Sequence, residues 1–89
     1  MRAVITVKGK DAVGIIAKVS KLMADSDINI MDISQTTADS EFFMIMLVDT
    51  KKSKKEFSEI ASDLKALGKE INQSINLSNE KLFNSMHRI

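Results

Sequence analysis

Seven consecutive apolar residues, FFMIMLV at positions 42–48, impose the tightest constraint on what this chain can fold into. The run is far too short to cross a bilayer as a helix. As a strand it carries Phe42, Met44, Met46 and Val48 on one face and Phe43, Ile45 and Leu47 on the other. An antiparallel sheet with helices on one side should show alternation, so something is expected to cover the other face of this strand, and association with a partner or a second copy is the expected use of it.

The flanking segments supply the other layers. Upstream, RAVITVK reads as a strand with Ala3, Ile5 and Val7 on one side and Val4 and Thr6 on the other, ended by Gly9. Ile15, Ile16, Val19, Leu22 and Met23 then recur at helical spacing, with Lys18, Lys21 and Asp25 opposite. Asp11 is the expected N-cap of that helix, which places Gly14 in its first turn, where glycine costs less than in a helix interior. INIMDISQT reads as the next strand, joined to FFMIMLV by a turn around Ala38, Asp39 and Ser40. Ser53 and Glu56 have capping-box spacing, and Phe57, Ile60, Ala61, Leu64 and Leu67 trace a second helical stripe that is expected to stop at Gly68. Ile71, Ile75 and Leu77 mark a last strand, with Asn72, Ser74 and Asn76 facing away. Leu82, Phe83, Met86 and Ile89 repeat at helical spacing in a tail too short to be stable alone, so it needs a surface to lie on.

The order strand, helix, strand, strand, helix, strand predicts an α+β, ferredoxin-like βαββαβ fold. Two right-handed crossovers interleave its strands into a four-stranded antiparallel sheet of order 4-1-3-2. Both main helices then share one face, and a short C-terminal helix follows. Residues 1–78 form the expected domain and 79–89 a helical extension packed on it or on a partner subunit.

Composition narrows function mainly by exclusion. The 89 residues carry a net charge of +1, so bulk charge names no partner. Four lysines in KKSKK, 51–55, flank one helix start without interleaved aromatics and read as a solvated loop, which makes nucleic acid an unlikely ligand. The chain has no cysteine, which removes disulfide, thiol-nucleophile and zinc–thiolate chemistry and suits a cytoplasmic protein. His87, the single histidine, has no partner for an N/S metal site, and no nucleophile–base arrangement is recognisable. Neither catalysis nor a cofactor is expected, and no apolar stretch long enough to span a membrane is present. The six methionines read as core or dimer contacts.

The opening KGKDAVGIIAKVSKLMADSDINIMDISQT, after its first strand, resembles the first half of an ACT domain, and the second half fits as well. DAVGIIAKVSKLM, NIMDISQT and the FFMIMLV strand resemble the small stand-alone ACT proteins of the UPF0237 family across essentially the whole chain. The sequence is also similar to the ACT modules of formyltetrahydrofolate deformylase and of the glycine-cleavage-system transcriptional repressor. Where many ACT sequences close the first helix with glycine, this one has Asp25-Ser26-Asp27.

The resemblance implies a regulatory or sensing module, commonly a homodimer or higher homo-oligomer, that binds a small molecule, often an amino acid, near the first strand-to-helix turn. Carried over by position, the ligand-facing residues are Asp11, Ala12, Val13 and Gly14 in that turn and Asn29 at the start of the second strand. The chemistry agrees: a carboxylate suits exposed amides at a helix N-terminus, and Gly14 offers no Cβ to keep it away. Asn29 can both donate and accept. Each residue also has a plainer reading, Asp11 as a cap, Gly14 as a packing glycine and Asn29 as a turn residue. Asp32, Ser34 and Gln35 rank second as polar contacts. An alternative function is a ligand-free module that docks a regulated protein partner through its sheet face and terminal helix.

Overall fold

The computed structural model describes residues 1–86. The elements are β1 (Arg2–Lys10), α1 (Ile15–Asp25), β2 (Asn29–Ala38), β3 (Glu41–Asp49), α2 (Phe57–Ile71), β4 (Gln73–Asn79) and α3 (Glu80–Met86). The strands form one antiparallel sheet in the order β2-β3-β1-β4, the expected interleaving read from the other edge. Ile89 of the apolar tail pattern, and His87, lie outside the described residues.

The core fills the space between one sheet face and the two main helices. Ala3, Ile5 and Val7 from β1 and Met44, Met46 and Val48 from β3 meet Ile15, Val19 and Met23 from α1 and Ile60 and Leu64 from α2. Opposite this layer, Val4 is only 4% exposed, because α3 lies across β1 and β4. The cover is partial: Ile45 and Leu47 are half-buried, and Phe43 is 42% exposed. The second face of the doubly apolar β3 is thus only half covered within the protomer, while its helix face is sealed.

Four local expectations are corrected. Asp11 is not the N-cap of α1. Gly14 holds that position in the left-handed conformation, at φ 88°, and no side chain caps the terminus. Asp11 instead donates its amide to the Ser40 carbonyl at 2.7 Å, which pins the β1–α1 loop to the β2–β3 turn. The helix therefore starts later than the cap pattern suggests. Gly68 does not end α2, which continues to Ile71 and closes on Asn72 in the left-handed conformation. Gly68 is needed for another reason, since a Cβ there would stand 2.5 Å from the Gln73 carbonyl oxygen, where β4 turns back onto the helix. Ile71 consequently belongs to α2 rather than to β4. Finally, Ser53 and Glu56 make no capping box: Glu56 is the N-cap without a side-chain bond, and Ser53 Oγ accepts the Lys55 amide at 3.2 Å.

Candidate functional site

Where β1 leaves the sheet, the chain passes through Asp11, Ala12, Val13 and Gly14 before entering α1. The first helical bond runs from the Lys18 amide to the Gly14 carbonyl at 3.0 Å, so the amides of Ile15, Ile16 and Ala17 have no acceptor within the helix. With no side-chain cap, this terminus presents its donors and the positive end of the helix dipole outward. A groove of about 350 Å³ opens there, lined by Asp11, Ala12, Gly14 and the first turn of α1. Gln35, Thr37 and Phe42 of the β2–β3 hairpin supply the rest of its lining. A Cβ at Gly14 would meet nothing nearer than Lys18 Cε at 4.0 Å, so the space beside it is open. Val13 is fully exposed and does not line the groove.

Asn29 is elsewhere. It opens β2 at the C-terminal end of α1, about 20 Å along the strand from Gln35 at the usual rise per residue. There it lines a second groove, of about 490 Å³, with Asp27, Ile28, Asp49, Lys51 and Lys52. Asp49 in that groove accepts the Lys51 amide at 3.0 Å, which holds its carboxyl below the usual range. The N-terminal ammonium at 3.5 Å acts in the same direction. Four of the five expected residues therefore share one loop, and within one protomer Asn29 does not join them.

The hairpin register decides the second-ranked residues. Gln35 pairs with Met44 and Thr37 with Phe42, so both point to the helix side and reach the groove. Asp32 and Ser34 pair with Leu47 and Ile45 and lie on the opposite face. Thr37 and Phe42 were not anticipated as lining residues. Strand alternation counted back from the turn at Asp39-Ser40 carries that signal. Among the described residues, no group of three or more His, Cys, Asp or Glu side chains could hold a metal ion. No helix among them is long and apolar enough to cross a membrane.

A βαββαβ sheet with both crossover helices on one face is a ferredoxin-like architecture. A model of the ACT domain matches residues 2–78. The chain is 46% identical to a UPF0237 protein of Listeria innocua over 89 residues, the full length of both. Among solved structures it is similar to an ACT domain protein from Streptococcus pneumoniae, with TM-score 0.82, 40% identity and 93% of each chain covered. A glycine cleavage system transcriptional repressor aligns at TM-score 0.76 and 26% identity, covering 86% of this chain and 44% of the other. The chain belongs to the UPF0237 family of ACT-domain proteins.

Proposed function

We propose that this protein is a non-catalytic cytoplasmic sensor that binds a free amino acid in the groove at the start of α1 and acts as a homo-oligomer. The observation that carries the reading is the uncapped α1 terminus facing an open groove beside Gly14. The ligand carboxylate takes the free amides of the first turn, and its ammonium group is met by the Asp11 carboxylate, the Gln35 amide oxygen and the Thr37 hydroxyl. This removes the charge conflict that Asp11 would have with a carboxylate alone. A volume of about 350 Å³ is at the small end of ligand pockets, which suits a metabolite of amino-acid size. A regulatory role agrees with the similarity to a glycine cleavage system transcriptional repressor. In this reading residues 1–78 are the sensing domain and 79–89 its extension.

Asn29 enters the site from a second copy. β2 is an edge strand, exposed along nearly its whole length, with Met31 and Ile33 46% and 40% exposed. Antiparallel pairing of β2 with its copy, centred near Ile33, brings Asn29 of the partner subunit opposite Thr36 at the groove end of the strand, the irregularity between Ile30 and Asp32 having shifted the register by one residue. Isothermal titration with a panel of free amino acids, paired with light scattering, tests both parts. One amino acid should give heat and raise the melting temperature of a dimer. Asn29→Ala should weaken that binding about tenfold while leaving the dimer intact, and Ile33→Asp should break the dimer and binding together. No heat and no thermal shift at saturating concentrations of every amino acid would overturn the proposal.

The second reading, docking of a regulated protein through the sheet face and α3, is favoured by the half-exposed Leu82, Met86 and Phe43. It requires that deletion of residues 80–89 abolish partner capture while amino acids have no effect.

A further inference from the structure

Gln73 stands out because a polar side chain only 8% exposed is held in place at evident cost. Its Nε2 donates to the Lys10 carbonyl at 2.7 Å, which fixes which way the amide points, since a carbonyl can only accept. That leaves Oε1 buried and without a hydrogen-bond partner. An apolar side chain of the same size would avoid the penalty of an unpaired buried acceptor. Two of the chain's three glycines also make room for this residue. A Cβ on Gly9 would stand 2.5 Å from Gln73 Oε1, and one on Gly68 would stand 2.5 Å from the Gln73 carbonyl oxygen.

Register connects Gln73 to the groove. Gln73 pairs with Gly9, Gly9 with Phe42, and Phe42 with Thr37, so the four lie in one row across the helix face of the sheet. Phe42 and Thr37 line the groove, and the missing Cβ of Gly9 lets the Gln73 amide lie across β1 and reach the last residue of that strand. Lys10 is followed directly by Asp11, whose amide is tied to Ser40. The loop is thus anchored twice, by the hairpin turn on one side and by Gln73 on the other.

We propose that Gln73 is the positioning residue of the amino-acid groove, fixing the β1–α1 loop against the start of β4; this rests on the function proposed above. Hydrogen exchange by NMR on the full-length, unliganded protein tests it. Gln73→Met keeps the size and removes the donor, and should speed exchange of the hydrogen-bonded Asp11 and Lys18 amides about fivefold relative to Ile5, Val7 and Met44. Gly9→Ala should produce the same pattern by displacing the amide, yet add nothing on a Gln73→Ala background, where there is no side chain left to displace. Faster exchange spread evenly over the sheet, unchanged exchange in the loop, or an additive double mutant would each overturn the assignment. Should Gln73→Met fail to fold, the Gly9→Ala comparison stands alone. A released loop together with an amino-acid panel that gives no heat would remove the proposed ligand and leave the positioning role standing.

Discussion

Replacing Gly14 by alanine separates two incompatible placements of that residue. In a right-handed first turn, alanine would stabilise the helix by up to about 1 kcal/mol. The structure instead holds Gly14 at φ 88°, at the N-cap. Space is not the obstacle, since an added Cβ meets only Lys18 Cε at 4.0 Å. The cost is conformational: an L-residue held in the left-handed region loses about 1–2 kcal/mol, and alanine is also a poor N-cap. Gly14→Ala should therefore destabilise the protein by about 1–2 kcal/mol, equivalent to about 4–8 °C in melting temperature per kcal/mol for a domain of this size. Urea unfolding followed by circular dichroism measures it, with the midpoint falling and the slope unchanged. Gly14→Asn should lose less than half as much, because asparagine tolerates the left-handed region and caps well. An alanine variant as stable as the parent would refute the assignment and return Gly14 to the helix.

Two further outcomes follow from the turns and the surface charges. Asp39 and Ser40 both have positive φ, 51° and 66°, in a two-residue hairpin turn that favours Asn-Gly, so Ser40→Gly should stabilise by about 0.5–1 kcal/mol in the same urea assay while keeping the carbonyl that Asp11 uses. Lys55 Nζ donates to Asp63 Oδ2 at 2.7 Å and to Ser26 Oγ at 3.0 Å, and the bond to Asp63 raises its pKa. A raised lysine stabilises the fold fully below its unfolded pKa of about 10.4, and the contribution is lost as pH climbs through the folded value. Melting temperatures across that alkaline window should fall in the parent and fall less steeply in Asp63→Asn.

Most of the fold was legible because burial of apolar periodicity dominates it. The alternation in Ala3, Ile5 and Val7 and the stripe through Ile60 and Leu64 each name a face, and those faces meet in the core. What misled were the punctuating residues, whose role depends on distant neighbours. Gly68 resembles a helix stop, yet it is kept small by a carbonyl of the following strand. Asp11 has the chemistry of a cap, yet the helix begins only after Gly14, beyond a loop pinned to Ser40, which is close in space only because β2 and β3 fold back. Gln73 gave no local sign at all, since neither Gly9 nor Lys10 is near it in sequence. For the candidate site, the loop residues were visible and the hairpin contribution of Thr37 and Phe42 was not, because it needs the register.

The separation of Asn29 from Gly14 bears directly on the proposed homo-oligomer. β2 runs the length of the sheet, so its first residue and the groove at its far end cannot meet within a protomer. An antiparallel copy reverses the strand and closes that distance, and β2 is the longer of the two sheet edges. β4 is shorter, seven residues against ten, and runs straight into α3. Proteins that must keep an edge unpaired place charges or proline along it. Along β2 the only charge is Asp32, whose Oδ1 already accepts the Ile33 amide at 3.0 Å. A long, lightly guarded edge supports pairing with a second copy, and a dimer formed there would bring the partner's first β2 residue to the end of the strand that borders the groove. Ligand binding and association would then be linked, each strengthening the other by the same factor.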